Sequence, residues 1–510
     1  MLPASITEIG NYICDMKSSC STGLDLIPVK FLKQNADFIF PTLTTFFNQS
    51  LIEGIFPDQL KKARVTPVFK KGTKSNVENY RPISILSNLS KPFEKLIHAR
   101  LPNFLTINHL IDQHQFGFQP RSNTTSAVAS LVNDIQTGVD QKKICSAIFL
   151  DVSKAFDCVP HDKLLLELYN YGIRGNAHSL VKSFLQGRTQ VVQLEGHSSQ
   201  EYRTNFGVPQ GSTLGPLLFI IYVNDIFELP LKGTLKMYAD DSVLIYNADS
   251  LEQLFTYMQH DLNIVNIRFY NNGLTINAAK SKYMIFSSTD RFESINFNLV
   301  SGANRVERVQ FHTYLGLLIQ QNLKWINHID SIHLKLVKFL GMLRRTSYLL
   351  PPRERKSLYY AHVLSQLTYM NIVWQNAPAF VINKITVTLK KFMRTIFWEQ
   401  YNNPDTRTTD LFLNNNMLNF NQIKFYEAVL FIYKVKNNLI KNNINLLRNR
   451  DVHRYETRAI KNLRVSAPRT NYLRLGCMYS AIVNINNLPS NISNIVPLHK
   501  FKKALKAIYY

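Results

Sequence analysis

A chain of 510 residues is longer than one compact domain usually needs. Its 45% hydrophobic and 18% charged residues make a globular composition and exclude a disordered chain. Lys and Arg number 59 against 35 Asp and Glu, a net charge of +24 that argues against an enzyme of small molecules and suits a polyanion, nucleic acid first and an anionic membrane surface second.

Five cysteines (Cys14, Cys20, Cys145, Cys158, Cys477) lack metal-ligand spacing. So sparse and odd a set points to a reducing compartment, with neither a disulfide framework nor a zinc knuckle. The N-terminal "MLPASITEIGNYICDMKSS" has no basic stretch followed by an apolar core, so no secretory signal is read there. The longest apolar run, "LGPLLFIIYV", stops at Asn224 and Asp225. That is short of the ~20 residues a bilayer demands, so it reads as a buried helix and no membrane role is expected.

In chain order, residues 1 to about 65 look helical, with apolar residues at three- and four-residue spacing. "ARVTPVFKKGTKSNVENYRPISIL" follows as a strand, a basic loop and an extended segment held by Pro82. "SKPFEKLIHARLPNFL" is an amphipathic helix with Ser90 as its candidate cap and Pro92 in its first turn. "SAIFLDVSKAFDCV" opens as an apolar strand whose end carries Asp151, and the helix "HDKLLLELYNYG" stops at Gly172. "RTQVVQLEG" and "SQEYRTNFGV" form a hairpin, and "PQGSTLGPLLFIIYVNDIFELP" turns into a helix. Beyond "LKMYADDSVLIY" come the helix "SLEQLFTYMQHDLNIVNIRFYNNG", the loop and strand "LTINAAKSKYMIF", and the β-rich "VERVQFHTYLGLLIQQNLKW". Residues 330–400 read as basic helices, and from about 400 onward Asn, Lys and Arg dominate with fewer periodic segments. There is no internal repeat.

"LKMYADDSVLIY" places two adjacent aspartates, Asp240 and Asp241, inside an apolar β-prone run. Neighbours on a regular strand face opposite ways, and buried unpaired carboxylates are costly. A hairpin with "ADD" at its tip resolves both problems, although Asp is also common in plain solvated turns. Asp151 ends another apolar strand. Side by side, the two strands would gather three carboxylates at one sheet edge, a site for hard divalent cations, Mg²⁺ best, and for two-metal phosphoryl transfer.

"FLDVSKAFDCVPHDKL", "GVPQGSTLGPLLFIIYVNDI" and "MYADDSVLIY", in that order, closely resemble the palm motifs of reverse transcriptases. "YRPISILSNLSKPFEKLIHARL", "QFGFQPRSNTTSAV", "LTINAAKSKYMIF" and "YLGLLIQQNLKW" resemble the non-LTR (LINE) branch, and jockey-like arthropod elements most. "RVSAPRTNYLRLGCMYSAIVNINNLPSNI" is similar to the segment that follows the polymerase there. The likeness spans nearly the whole chain.

The resemblance implies an α+β right-hand polymerase (fingers, palm, thumb) with a mostly helical basic C-terminal region. Its expected segments are an N-terminal helical extension over 1–50, fingers and palm over 51–320, a helical thumb over 321–400 and the C-terminal region over 401–510. The implied activity is RNA-directed DNA polymerisation: a DNA primer 3′-hydroxyl is extended with dNTPs on an RNA template, using two Mg²⁺ ions for which Mn²⁺ can substitute. Asp151, Asp240 and Asp241 resemble the metal-binding acids, with the Val152 carbonyl as a further ligand. Phe156 matches the aromatic that excludes a 2′-hydroxyl. Gln210 and Gly211 resemble the turn that meets nucleotide and template, Lys70 and Arg81 the fingers cations at the triphosphate. Lys280 resembles a lysine proposed to protonate the leaving pyrophosphate, and Tyr314, Leu315 and Gly316 the primer grip.

Other conspicuous residues take bland readings. Asp157 and Asp225 read as backbone-bonding residues at element ends. The histidines lack partners for zinc. Trp325, Trp374 and Trp398 read as packing anchors. Lys335, Lys338 and Arg345 fall near one side of a helix and suit binding to duplex phosphates. The endonuclease that usually precedes such a polymerase is not seen, so a missing upstream domain or another protein would supply it. A nuclear and cytoplasmic ribonucleoprotein location follows from the resemblance alone. The rival reading is a non-catalytic nucleic-acid-binding relic, whose mark would be lost carboxylates; a maturase-like intron enzyme ranks lower because its companion domains are not evident.

Overall fold

In the computed structural model of the chain, the residues described are 1–287, 289, 292, 294–402, 405–441, 444, 446–452, 460, 462–465 and 467–509. Ser466 of the quoted C-terminal segment lies outside them.

The longer helices are α1 (Ile6–Cys14), α2 (Ala36–Glu53), α3 (Ser90–Ile107), α4 (Thr124–Asp140), α5 (His161–Asn170), α6 (Gly175–Leu185) and α7 (Gly215–Val223). They continue as α8 (Leu251–Asn271), α9 (Ile326–Thr346), α10 (Pro352–Tyr359), α11 (Ala379–Ile396), α12 (Phe420–Lys436), α13 (Cys477–Asn486) and α14 (Leu498–Ala507). The strands are β1 (Lys62–Phe69), β2 (Tyr80–Leu86), β3 (Ile144–Leu150), β4 (Thr189–Leu194), β5 (His197–Ser198), β6 (Tyr202–Arg203) and β7 (Thr234–Tyr238). After them come β8 (Asp241–Ala248), β9 (Lys282–Phe286), β10 (Val300–Ser301), β11 (Asn304–Arg305), β12 (Glu307–Arg308), β13 (Phe311–Tyr314) and β14 (Leu317–Gln320).

The chain divides into two compact units. The first comprises Met1–Phe118, Asp151–Leu231 and Leu262–Asn277; the second comprises Gln119–Leu150, Lys232–Asp261 and Ala278–Tyr510.

In the first unit, β1 alternates buried Ala63 and Val65 with the more open Arg64 and Thr66, the period of a one-face-buried strand. It pairs antiparallel with β2 from Ala63↔Leu86 to Phe69↔Tyr80, and parallel with β4 from Lys62↔Thr189 to Val65↔Val192. The hairpin expected after α6 forms, since β4 pairs antiparallel with both β5 and β6. Among the helices of this unit, Phe93 stacks on Phe47 at 4.6 Å, and on Phe56 at 5.1 Å, all buried. The run "LGPLLFIIYV" is the buried helix expected of it: Leu217 to Val223 are all enclosed. Ser90 corrects an expectation. It lies inside α3, not ahead of it, and donates its hydroxyl to buried Glu94 at 2.8 Å while Leu89 holds the cap position.

The second unit is built on a sheet ordered β12–β9–β3–β8–β7, parallel only between β12 and β9. Six of the seven β3 residues are buried, as befits an apolar central strand flanked on both sides. Its covering helix α4 begins with a reciprocal cap, Asn123 Oδ1 accepting from Ser126 N at 2.8 Å and Ser126 Oγ from Asn123 N at 3.3 Å. The core runs from α4 and the sheet through β13–β14 into the helices that follow. Residues beyond 400 contribute to it: Phe420, Cys477 and Phe501 are buried there, and Tyr433 stacks on Phe501 at 3.8 Å. Of the tryptophans, Trp325 and Trp374 are buried as expected, whereas Trp398 is 40% exposed and is no core anchor. No described helix is long and apolar enough to cross a membrane.

Candidate active site

In the second unit, β7 and β8 are buried from Leu235 to Met237 and from Ser242 to Tyr246, the polar Lys236 and Ser242 included. The register closes at Tyr238↔Asp241, leaving Ala239 and Asp240 as a two-residue turn. The hairpin expected from "LKMYADDSVLIY" is therefore present, with one refinement: Asp240 lies in the turn and Asp241 opens β8. Ala239 takes φ 59°, a left-handed conformation that costs a side-chain-bearing residue about 1 kcal/mol or more. Asp241 is exposed and Asp240 half-buried. Beside β8 runs β3, paired so that Leu150 faces Ser242.

The β13–β14 hairpin turns through Leu315 at φ 47° and Gly316 at φ 83° between the paired Tyr314 and Leu317. Two positive φ values are the mark of a tight hairpin turn whose twist matches its strands. Leu315 is an unusual occupant, so this turn stores strain. Tyr314 is buried and packs at 5.6 Å on Phe149 of β3, which also stacks on His312 at 4.5 Å. Burial first, and then the charge of Asp241, push the Tyr314 hydroxyl far above the usual tyrosine range, so it stays neutral. Lys280 is exposed, two residues ahead of β9.

In the first unit, the segment after Asp151 is tied down by backbone bonds. Asn277 N donates to the Asp151 carbonyl at 2.8 Å, Ser153 N to Thr275 O at 2.9 Å, and buried Val152 pairs with Ile276. Phe156 sits in a single 3₁₀ turn, stacked on Phe219 of α7 at 4.3 Å and edge-on to Phe118 at 6.4 Å. Val208 N donates to its carbonyl at 2.8 Å, which anchors the "PQG" loop beneath it.

Gln210 Nε2 donates to the Asp157 carboxylate at 2.7 Å, and the Gln210 carbonyl accepts from Ser84 N of β2 at 2.7 Å. A Cβ on Gly211, whose φ is 129°, would overlap the Ser84 carbonyl, so only glycine fits. Asp157 corrects an expectation: its partner is the Gln210 side chain rather than backbone, and burial raises its pKa against the pull of Gln210 and Lys154. Asp225 likewise accepts from the Asn272 side chain at 3.0 Å and lies 3.5 Å from Arg268. Arg81 on β2 faces Val68, and Lys70 N donates to Asn79 O at 2.8 Å; both side chains are exposed at the end of the β1–β2 pair where the connecting loop joins the strands.

One residue went unread in the sequence. Glu94, fully enclosed in α3, accepts from Ser90 Oγ at 2.8 Å, Thr213 N at 2.7 Å and Leu214 N at 3.4 Å. It holds the two N–H groups just ahead of α7, whose cap position is Leu214, and so fixes the loop that leads into the helix. Burial raises its pKa, while Arg188 and the three donors oppose that. An acidic residue in a predicted amphipathic helix carries no signal of such a role.

As donors, Asp151, Asp240, Asp241 and the Val152 carbonyl are all hard oxygens, the set a Mg²⁺ ion takes. Among the described residues no three His, Cys, Asp or Glu side chains form a ready-made metal cluster.

Residues 68–342 match the family model for reverse transcriptase (RNA-dependent DNA polymerase). The chain is 28% identical over 407 residues to the RNA-directed DNA polymerase from mobile element jockey of Drosophila melanogaster, covering 77% of this chain and 44% of that protein. It is 28% identical over 418 residues to the probable RNA-directed DNA polymerase from transposon X-element of the same fly, with the same coverage. It thus spans less than half the length of these relatives. Apo telomerase from Candida tropicalis aligns over 79% of this chain and 70% of its own at 12% identity with a TM-score of 0.39, too low to bear on the fold. With more than half of its residues inside the matched region, the chain belongs to the reverse transcriptase family.

Proposed function

We propose that the chain is the RNA-directed DNA polymerase of a jockey-like non-LTR retrotransposon, extending a DNA primer 3′-hydroxyl with dNTPs on an RNA template. The observation that carries this is the carboxylate hairpin of β7 and β8 beside β3. Leu150 faces Ser242 in the register, and one residue beyond that pair the chain has Asp151 on one side and Asp241 on the other.

Asp151, Asp240, Asp241 and the Val152 carbonyl would hold the Mg²⁺ ions, which supply charge for lowering the pKa of the attacking hydroxyl and for steadying the leaving pyrophosphate. The chain's own groups do the rest. Phe156, backed by Phe219, presents a flat ring that rejects a 2′-hydroxyl. Gly211 lets backbone approach the substrate, and Gln210, anchored to Asp157, orients the loop. Lys70 and Arg81 neutralise the triphosphate. Lys280 delivers a proton to the departing pyrophosphate. Tyr314, Leu315 and Gly316 grip the primer end.

The right-hand division follows the same reading: fingers and palm over 51–320, thumb over 321–400 and a basic C-terminal region after it, preceded by the helical extension 1–50. The template RNA and the nicked DNA target belong to this reading too, as does a ribonucleoprotein shared between nucleus and cytoplasm.

The test is primer extension by purified protein with Mg²⁺ on an annealed primer–RNA template, beside a known polymerase. Asp240→Asn should abolish extension and keep RNA binding. A non-catalytic binding protein would extend nothing and would show no difference between wild type and variant.

A further inference from the structure

Tyr369 lies outside every motif quoted from the sequence, in the bend that follows the short helix Ser365–Thr368. Its hydroxyl donates to the Leu315 carbonyl at 2.6 Å, a short bond to a residue held at φ 47°. Its ring lies against Gly316: a Cβ there would stand 3.4 Å from Tyr369 Oη and 3.5 Å from Cε1. Tyr369 Oη is also 3.4 Å from Thr124 Oγ1, at the first turn of α4. One side chain thus meets both left-handed residues of the Tyr314–Gly316 turn.

A strained turn persists only where its surroundings over-determine it. Here the support is itself pinned. Trp374 Nε1 donates to the Tyr369 carbonyl at 3.0 Å. The next residue, Met370, is buried at φ 50°, and buried Asn371 donates its amide to Leu367 O at 2.8 Å. Trp374 is fully buried and stacks on Phe420 at 5.9 Å and 18°. Phe420 opens α12, where Asn419 Oδ1 accepts from Gln422 N at 3.1 Å and Gln422 Oε1 from Asn419 N at 2.8 Å. A continuous path runs from the capped start of α12, through Trp374 and Tyr369, to the Leu315 carbonyl.

We propose that Tyr369 is a positioning residue for the primer terminus: its hydroxyl locks the Leu315–Gly316 turn, and Phe420 in the C-terminal region buttresses it through Trp374. This rests on the reading of Tyr314–Gly316 as the primer grip. It gives the segment beyond residue 400 a task in the polymerase, that of backing the grip.

Tyr369→Phe removes one oxygen and keeps the ring. The experiment compares wild type, Tyr369→Phe, Gly316→Ala and the double variant on one primer–RNA template. Two readouts are taken: single-nucleotide addition kinetics, and the fluorescence of 2-aminopurine at the primer terminus in the complex without dNTP. Tyr369→Phe is expected to lower kcat about three- to tenfold, the range of one lost hydrogen bond. It should also change the terminal 2-aminopurine signal, while KM for dNTP, affinity for the duplex and Tm stay at wild-type values. Gly316→Ala should likewise lower kcat and change the terminal signal, with some loss of Tm because its φ is 83°, and the double variant should lose no more kcat than the worse single, because both act through one turn.

If Gly316→Ala alters both readouts while Tyr369→Phe alters neither, or if the two losses simply multiply, the positioning role is wrong and the grip reading stands. If neither substitution moves the terminal signal, the turn does not touch the primer, and both ideas fall. The fluorescence arm decides the matter even for a protein that adds no nucleotide.

Discussion

Leu150 of β3 faces Ser242 of β8, and the residue after the first and the residue before the second are both aspartates. One acid thus follows directly on β3 and another opens β8.

Sugar selection should depend on the Phe156 ring. Phe156→Ala removes the face proposed to meet the sugar, though it also uncovers Phe219. Discrimination against ribonucleotides, measured as the ratio of kcat/KM for dNTP and rNTP, is expected to fall by about 10- to 200-fold, the range that one group's packing supplies. An unchanged ratio would remove Phe156 from the nucleotide site.

Glu94 should be a large contributor to stability. Glu94→Ala leaves the N–H groups of Thr213 and Leu214 without their acceptor in an enclosed place. A loss of about 2–4 kcal/mol in urea unfolding is expected. Glu94→Gln keeps one acceptor oxygen and should lose less. Equal losses would show that volume, not hydrogen bonding, matters there.

A second buried acid sets a pH dependence. Burial lifts the Glu427 carboxyl from 4.5 to about 7 against the opposing charges of Lys434, Lys502 and Lys506. A raised acid is held protonated in the folded state, so its stabilising contribution is complete below pH 4.5 and is lost as pH climbs to about 7. Glu427→Gln lacks that titration. Its stability relative to wild type should rise across this window, by up to about 3 kcal/mol, and level off above it. A difference independent of pH would contradict the assignment.

Duplex affinity should lean on α9. Lys335, Lys338 and Arg345 are exposed there while Ile332, Leu336, Leu340 and Leu343 face the core. Replacing all three cations with Gln is expected to flatten the dependence of log K on log salt by about 2 to 3, near one for each phosphate no longer neutralised. A slope equal to that of wild type would place the duplex elsewhere.

Much of this architecture was legible because periodicity and turn chemistry are local. "LKMY" and "SVLIY" announce a hairpin as two apolar, β-prone runs with "ADD" between them, and the all-apolar "LGPLLFIIYV" announces a buried helix. What was hidden depends on distant partners. The parallel pairing of β1 with β4 leaves no trace in either strand. Ser90 looked like a cap because the sequence does not show that Glu94, one turn on, is drawn into the interior by the distant Thr213 and Leu214 and takes the Ser90 hydroxyl with it. The helix α12 was obscured because its buried residues, from Ile423 through Tyr433 to Val435, surround the axis and erase the one-sided stripe that marks a surface helix. Tyr369 matters only through a turn far earlier in the chain, and no spacing rule reveals such a bond.

The central claim is that Asp151, which follows β3, and Asp240, in the β7–β8 turn, serve one chemical step. Its most direct test is the single-turnover rate of nucleotide addition with Mg²⁺ for wild type, Asp151→Asn, Asp240→Asn and the double variant. Each single variant should lose about a thousandfold or more while still binding the primer–template, and the double should lose no more than either, as residues that act as a unit do. Near-wild-type addition by either single variant, or losses that multiply in the double, would contradict the account.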